Sequence, residues 1–286
     1  MHSVWSKIDG ILVVNLDTCT ERMDVFRERN SAVLPMEKVH RLSAVYGRSL
    51  SSFGKAPWFT ERTQERAGYW GGAAGCALSH RNAIAHAQRE GWKNVLILED
   101  DVEIKDCADG FSLLEKAVDT ISGPYMLYAG YSRPTPYGRK VGSCAEYGLW
   151  QTEGVLSTFG YLVSQELYDP LLAEMPTEDT VWEWLARHRA IDTFYRDRVA
   201  NMSGVKIYCI QPDIIEHIDG DSCIGSVTRT DLYSRTQEPY SYCTLAGVLH
   251  VLSAPLRRLK LKLNSIRTYR RALHGGFPGF RKKRKK

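Results

Sequence analysis

Three consecutive carboxylates, Glu99, Asp100 and Asp101, follow the apolar run 95–98 of this chain. Carboxylates held together beside a low-dielectric core repel one another and are poorly solvated, so such a group is typical of a cation site. A solvated strand end is the alternative that these residues alone leave open. Alternate side chains of an extended backbone share a face, which predicts Glu99 and Asp101 on one side and Asp100 on the other. Two oxygen ligands on one face suit Mn²⁺ or Mg²⁺, which complete their shells with water and phosphate.

The elements around these carboxylates predict an α/β protein. The apolar run 10–17 reads as a strand and is followed by a helical run from Thr20, while a helix closed by Gly91 precedes the strand that carries the carboxylates. Further strands are expected within 37–47, 124–131, 157–172 and 205–217, and helix within 180–199. This alternation favours a mainly parallel sheet flanked by helices, in which ligands bind beyond the carboxyl ends of the strands. Asn15 and Asp17 lie at a second such end.

Composition bounds the class of protein. With 286 residues, 43% of them hydrophobic, the chain can build a large core, so disorder is not the default expectation. The seven cysteines are odd in number and contain no CxxC, which disfavours a disulfide framework or a zinc cluster and suits a reducing cytoplasm. The first apolar run is short and interrupted by Asp9, so we expect neither a signal peptide nor a membrane anchor there.

Charge is divided unevenly along the chain. Thirteen of the 38 Lys and Arg follow Glu238, where no acidic residue occurs, so the first 238 residues carry 25 basic against 33 acidic side chains, a net −8. Apolar residues recur there at helical spacing, at Leu252, Leu256, Leu259, Leu263, Ile266 and Leu273. We predict a domain of residues 1–245 and, over 246–286, a basic amphipathic helical tail that contacts an anionic membrane surface. A helix packed on the domain, a nucleic-acid-binding tail and a disordered end are the alternatives. The acidic body opposes a polyanion, so we expect no nucleic acid partner.

Several short motifs, in their order along the chain, resemble glycosyltransferase family 25, the lipooligosaccharide and collagen β-galactosyltransferases. "GCALSH" at 75–80 precedes "LILEDD" at 96–101, while "VVNLDTCTER", "SAVYGR" and "AIDTFY" match other segments of the family in sequence order. The resemblance covers roughly residues 10–235. Tyr46 stands where the family usually has Asp, and "GGAAGC" replaces a more acidic lead-in; both departures concern the donor or acceptor more than the reaction.

The resemblance implies a GT-A fold that transfers a hexose, most often galactose, from a UDP-sugar with inversion. Glu99 and Asp101 would form a DxD-like element, in which Asp101 binds the metal that bridges the diphosphate and Glu99 reaches the metal through water or the donor ribose. His217 would complete the metal shell from a loop after a strand, although a structural role is the alternative. The implied donor contacts are Asn15, Arg22, Glu99, Asp100 and Ser222. For Arg22, an exposed helical ion pair is the alternative to binding diphosphate.

Inversion in one displacement requires a base that takes the proton of the acceptor hydroxyl, and a carboxylate is the usual group. Asp192 in "AIDTFY" is the predicted base, so that Asp101 and Asp192 are the predicted catalytic residues; an ordinary helix carboxylate is the alternative. Glu178 and Asp179 are in reserve, although an acidic turn at a helix N-terminus explains them equally. We expect His80 to be a core histidine beside the site.

Three aromatic residues could stack on an acceptor sugar or pack in the core: Trp182, Trp184 and Tyr195. Taken together, the sequence predicts a cytoplasmic transferase, peripheral on the inner face of the cytoplasmic membrane, that adds galactose or glucose to lipopolysaccharide or lipooligosaccharide. Two other functions stay open. One is a metal-dependent phosphoryl hydrolase that uses the same carboxylates, and the other is a non-catalytic sugar-nucleotide-binding or membrane-adaptor protein.

Overall fold

A computed structural model of the chain describes residues 2–134, 137–218 and 239–279. The strands are β1 Gly10–Asn15, β2 Val39–Ser43, β3 Asn94–Glu99, β4 Val102–Ile104, β5 Tyr125–Gly130, β6 Arg133–Pro134, β7 Tyr137–Cys144, β8 Tyr147–Thr152, β9 Val155–Leu156, β10 Gly160–Ser164, β11 Lys206–Gln211, β12 Ile215–His217 and β13 Tyr240–Ser241. The helices are α1 Thr20–Asn30, α2 Ala67–Arg89, α3 Ala108–Thr120, α4 Tyr168–Glu174, α5 Val181–His188, α6 Ile191–Asp197, α7 Leu245–Leu252 and α8 Ala254–Gly275.

A nine-stranded sheet in the order β13-β7-β8-β11-β5-β10-β3-β1-β2 forms the centre of the molecule. β1 pairs in parallel with both β2 and β3, β5 with β11, and β7 with β13, whereas β8 and β10 run against their neighbours. Seven of these nine strands therefore point the same way, and the predicted α/β fold with a mainly parallel sheet is confirmed. β4 pairs with β12, and β6 with β9, in two small antiparallel sheets.

Helices cover both faces of this sheet, as predicted. Successive strand residues point to opposite faces: Leu12 and Ile97 are buried in a cluster with α2, α4, α5 and α6. Ile11 and Leu96 are buried in a second cluster with α1 and α3. The near-continuous apolar strands are thus buried on both sides, which is typical of a sheet between two helical layers.

The helices differ in extent from the predicted ones. α2 begins at Ala67, before the predicted "GCALSH" segment, and the chain leaves it through Gly91 with a φ of +67°. The predicted helical segment 180–199 contains two helices, α5 and α6, because Arg189 between them takes a φ of +72°. The antiparallel pair of β7 and β8 was not predicted.

The C-terminal segment docks on the body of the protein. α8 packs against α5, Ala272 is 3% exposed, and Phe277 stacks on Trp70 with ring centroids 4.4 Å apart. Ala272 and Phe277, within the predicted 246–286 tail, therefore contribute to the core of the domain. Among the described residues, no helix is both long enough and apolar enough to cross a lipid bilayer.

Candidate active site

An open pocket of about 780 Å³ lies where β1, β2 and β3 end. These three strands are parallel neighbours, so their carboxyl ends meet at one edge of the sheet. The wall includes residues that follow each strand: Val14, Leu16, Arg22, Ala44, Val45, Tyr46, Gly47, Arg48, Glu99, Asp100 and Asp101, with Gly72, Gly75, Cys76, Ser79 and His80 from α2. All three carboxylates singled out in the sequence line this pocket.

The predicted alternation of the three carboxylates is wrong, because β3 ends at Glu99 and a turn follows. In this turn Asp100 and Asp101 approach the same cation. Arg22 Nη2, from the first turn of α1, lies 2.5 Å from Asp100 Oδ1 and 2.7 Å from Asp101 Oδ2. Arg22 therefore neutralises part of the acidic charge of these two carboxylates.

Asn15 supports Asp100 through a hydrogen bond. It is 1% exposed, its Nδ2 donates to Asp100 Oδ2 at 2.6 Å and to the carbonyl oxygen of Cys19 at 2.9 Å, and its Oδ1 accepts from Arg41 Nε at 2.7 Å. Asn15 is not among the residues that line the pocket, and a direct contact with the donor stays a prediction. Its amide is fully used in holding the carboxylate and the β1–α1 turn.

Of the two aspartates, Asp100 is the one whose ionised form the protein disfavours. Burial raises its pKa to about 6, against the attraction of Arg22 and the hydrogen bond from Asn15, which act in the opposite direction. The charges of Asp101 and Glu99 add to the increase. A cation that enters the pocket would relieve this repulsion.

One carboxylate oxygen of Asp101 contacts Arg22 and His217, and the other has no hydrogen-bond partner among the described residues. Burial raises its pKa, but hydrogen bonding and attraction from His217, together with Arg22, outweigh burial and hold the pKa below its usual range. His217 Nε2 lies 3.2 Å from Asp101 Oδ2. Asp101 Oδ1 is buried and has no hydrogen-bond partner among the described residues. Such an atom is expected to bind a ligand that the polypeptide does not supply.

His217 reaches this position from a strand, and not from the predicted loop. It ends β12 and pairs with Val102 of β4, the strand that begins directly after Asp101. The backbone carbonyl of Asp101 also accepts from the amide of Ile218 at 2.8 Å. The β4–β12 ladder thus holds His217 beside the carboxylate.

Glu99 is held from the side of the sheet that faces α2. Thr158 Oγ1 donates to Glu99 Oε1 at 3.2 Å, and His80 Nε2 is 3.9 Å from the same oxygen. His80 is 1% exposed, and its Nδ1 is 2.7 Å from the hydroxyl of Tyr161, so it is a core histidine that also lines the pocket. Ligand atoms of Cys76, His80 and Glu99 lie within 4.8 Å of one another.

The opposite wall of the pocket is a turn packed closely on α2. A Cβ at Gly47 would lie 1.9 Å from the carbonyl oxygen of Gly71, and one at Gly75 would lie 2.3 Å from that of Val45. Ser79 Oγ accepts from the amide of Val45 at 2.8 Å. The turn therefore needs glycine on both sides of the contact. Tyr46, which extends from this turn, is 51% exposed.

The predicted base, Asp192, is connected to Glu99 only indirectly, through the segment that contains Ser157 and Thr158. Asp192 is in the first turn of α6, where its Oδ2 accepts from the amide of Ser157 at 3.3 Å and its Oδ1 from that of Thr193 at 2.6 Å. Ser157 precedes Thr158, which contacts Glu99, but Asp192 itself is not part of the pocket wall described above.

The other predicted residues lie elsewhere. Glu178 and Asp179 are exposed in a turn before α5. Trp182, Trp184 and Tyr195 are buried in the core, which favours core packing of the two roles considered for them. Ser222 lies outside the described residues.

The donor atoms around Asp101 fit a hard divalent cation. Asp101 Oδ1 lacks a partner among the described residues, Glu99 lines the same pocket, and an imidazole adjoins Asp101. Carboxylate oxygens with one imidazole suit Mn²⁺, and carboxylates with water suit Mg²⁺. Fold and site together define an α/β protein whose pocket, at the carboxyl ends of parallel strands, has donor atoms suited to a divalent cation.

Residues 8–132 match the model of glycosyltransferase family 25 (LPS biosynthesis protein). The resemblance that the sequence motifs predicted is confirmed over these residues, which include all three carboxylates. Among curated proteins no match was found.

Several solved structures match this chain at low identity and low TM-score. A glycosyltransferase involved in the glycosylation of the major capsid of PBCV-1 is 10% identical, with 76% of this chain and 95% of that chain covered and a TM-score of 0.40. Mannose-1-phosphate geranyltransferase from Thermus thermophilus is 12% identical, with 71% and 74% covered and a TM-score of 0.36. UDP-glucose pyrophosphorylase in complex with UDP-glucose is 11% identical, with 74% and 90% covered and a TM-score of 0.33.

Proposed function

We propose that this protein is a metal-dependent, inverting hexosyltransferase of GT-A type that moves galactose from UDP-galactose to a lipopolysaccharide or lipooligosaccharide glycan. The observation that carries the proposal is the buried Oδ1 of Asp101, which lacks a partner among the described residues, beside Glu99 at the carboxyl ends of parallel strands. A buried carboxylate oxygen without a hydrogen-bond donor is expected to bind a cation that the polypeptide does not supply.

Asp101, Glu99 and His217 would hold Mn²⁺ or Mg²⁺ in this proposal. The metal would neutralise the negative charge that develops on the diphosphate leaving group. Arg22 and Asp100 form an ion pair on the same wall, and a second cation near Asp101 would free Arg22 to contact phosphate oxygens. The sequence also places Ser222 in this donor set.

Asp192 remains the proposed base. The carboxylate oxygens accept two backbone N–H groups, which fixes the orientation of the side chain, and α6 places it close behind the loop that contacts Glu99. A base in this position would take the proton of the acceptor hydroxyl while the sugar is transferred in one displacement. Because the acceptor glycan is lipid-linked, the proposal includes a peripheral position on the inner face of the cytoplasmic membrane.

The proposal is tested with the full chain, a panel of nucleotide sugars and Mn²⁺. We expect slow hydrolysis of UDP-galactose without acceptor, and no turnover of a GDP-sugar. Asp101→Ala should lower the rate by about 10²-fold or more, since it removes a metal ligand and a stabiliser of the leaving group. Asp24→Ala is the matched control, because that carboxylate is on the surface of α1 and its side chain is 78% exposed.

Asp192→Asn separates the base from the metal site. It should leave UDP-sugar binding at the wild-type level and stop transfer to the acceptor, because an amide accepts no proton. Wild-type transfer by Asp192→Asn would place the base elsewhere. Release of phosphate from simple monoesters would replace the proposal with a hydrolase, and donor binding without any turnover would replace it with a non-catalytic protein.

A further inference from the structure

The exposed apolar surface of this protein is concentrated on its last two helices. Of thirteen large hydrophobic residues that are exposed in the described parts of the chain, ten lie on α7 and α8. They are Leu245, Val248, Leu249, Val251, Leu252, Leu256, Leu259, Leu263, Ile266 and Leu273. Contiguous exposure of this kind marks a surface that binds a partner.

The exposed residues of α8 share one side of the helix. Leu256, Leu259, Leu263 and Ile266 recur at intervals of three and four residues, so they form a single stripe along the helix. Their exposed fractions range from 71% at Leu256 to 36% at Ile266. The stripe therefore points away from the protein.

A different stripe holds α8 on the body. Residues 257, 261, 265, 268 and 272 also recur at helical spacing, on the opposite side, and all are partly or fully buried. Arg257 Nη2 donates to Glu153 Oε1 at 2.8 Å, and the guanidinium of Arg187 lies 3.9 Å above the ring of Tyr269. α8 thus docks through a side on which Leu261 lies beside small and polar residues, and it presents the more exposed stripe of Leu256, Leu259, Leu263 and Ile266 outward.

The charge around this surface indicates the kind of partner that it binds. No acidic residue occurs after Glu238, whereas Lys260, Lys262, Arg267 and Arg271 flank the leucine stripe and are exposed. The first 238 residues carry a net −8 from 25 basic and 33 acidic side chains. An anionic partner is therefore attracted by this face and repelled by the rest of the protein.

We propose that α7 and α8 form a docking surface for an anionic lipid bilayer. In this arrangement α8, about 33 Å long at 1.5 Å per residue, lies in the plane of the membrane with its leucines at the acyl boundary and its basic side chains among the headgroups. The alternation of leucine and basic residues along one face matches this interface. A nucleic acid would use the charges but leave the leucines in water.

The surface is ordered before it meets the membrane. His250 Nε2 lies 2.9 Å from Glu153 Oε2, Arg257 binds the same carboxylate, and Phe277 is buried among the aromatic rings of the core. Helical peptides that fold on a membrane lose conformational entropy at that step, whereas this helix is already held in place. Binding should therefore be reversible and leave the helical content unchanged.

The test is co-sedimentation of the full chain with vesicles of equal parts phosphatidylglycerol and phosphatidylcholine, compared with phosphatidylcholine alone. We expect binding to the first only, weakened by salt. The combined variant Lys260→Gln, Lys262→Gln, Arg267→Gln should bind about 100-fold more weakly, at roughly fivefold per charge. The control carries Arg29→Gln and Lys116→Gln on exposed positions of the body and should bind as the wild type does.

The leucines are tested separately from the charges. Leu256→Ser, Leu259→Ser and Leu263→Ser together should lower vesicle binding by at least about tenfold. They should also remove the vesicle binding that persists at high salt. Val25→Ser and Val141→Ser change residues exposed to 41% and 42% on other surfaces and should have no effect. Circular dichroism and the melting temperature establish that each variant is folded.

Three results would overturn the proposal. Undiminished vesicle binding by the leucine variant would reduce the surface to a general basic patch. A wild-type dimer that the leucine variant converts to a monomer, in light scattering without lipid, would make the face a contact between copies. Binding of duplex DNA as tight as that of vesicles, and independent of the leucines, would assign it to a polyanion. The assay contains no donor or acceptor, so its failure would remove the membrane position from the proposed function and leave the proposed transfer reaction untouched. Failure of the transfer assay would likewise leave the membrane surface untouched.

Discussion

His188 offers a quantitative test of the packing that positions α6. Its ring lies between those of Trp184 and Phe194, with centroids 4.9 and 5.1 Å away. Burial lowers its pKa to about 4, an effect that Arg198 and Arg187 reinforce and Glu174 opposes. The unfolded chain, with a His pKa near 6.5, therefore binds a proton over a range in which the folded protein does not.

This difference in proton binding determines how the stability of the protein changes with pH. A lowered histidine pKa gives stability that is present above about pH 6.5 and is lost as the pH falls towards 4. Between pH 7 and pH 4.5 the loss assigned to this one residue is roughly 2 kcal/mol of unfolding free energy. His188→Gln, which cannot be protonated, should lose that much less stability over the same interval.

Urea unfolding of both proteins at the two pH values measures the effect as a difference of differences, so other titrating groups cancel. His274→Gln, at an exposed position of α8, is the control and should show the same change with pH as the wild type. Equal losses in the wild type and in His188→Gln would refute the reasoning, because the histidine would then be equally solvated in both states.

Three further substitutions follow from contacts in and around the pocket. Gly47→Ala should destabilise the protein by more than about 2 kcal/mol in urea unfolding, since its Cβ would lie 1.9 Å from a carbonyl oxygen of α2, whereas Gly275→Ala, with no atom within 4 Å, should not. Tyr161→Phe should cost about 1–3 kcal/mol in the same assay, because it leaves the buried Nδ1 of His80 without its 2.7 Å partner. Tyr46→Ala should weaken UDP binding by about tenfold in calorimetry, by loss of ring stacking, with an unchanged melting temperature because this side chain is half exposed. Wild-type behaviour of any of these variants would show that its contact is not formed.

The core of the candidate site could be predicted from local sequence. An apolar run that ends in three carboxylates indicates a buried strand and the position of its end, and the strands of a parallel sheet bring such ends together. Glu99, Asp100 and Asp101 could therefore be predicted from the local sequence alone. The same reasoning failed one residue further on, because periodicity does not reveal that β3 stops at Glu99 and that a turn follows.

The partners of these carboxylates could not be predicted in this way. Thr158, which contacts Glu99, and Tyr161, which contacts His80, come from the region of β10. This strand lies between β3 and β5 in an antiparallel position that no local signal indicates. Asn15 matches a family segment, yet only the fold shows that its amide points at Asp100 and not into the pocket. Such contacts depend on which distant strands pair in the sheet, and the spacing of residues in the sequence does not indicate that pairing.

The C-terminal helix shows the same limit in another form. Its leucines give a clear helical stripe in the sequence, but a stripe does not reveal whether it faces the protein or the solvent. The buried positions of Ala272 and Phe277 decide the matter, because they fix the opposite side of the helix on the body. A small residue and a phenylalanine beyond the helix end carry no periodic signal.

The anchoring of α8 has a consequence for substrate selection. Phe277 stacks on Trp70 of α2, and the same helix supplies Gly72, Gly75 and His80 to the pocket. A protein that rests on lipid through α8 would therefore keep its pocket at a constant height above the bilayer. Under that condition an acceptor glycan must have a certain reach to present its terminal hydroxyl, and shorter or longer chains would be served poorly. The enzyme would then measure the number of sugars already added, in addition to reading the last one.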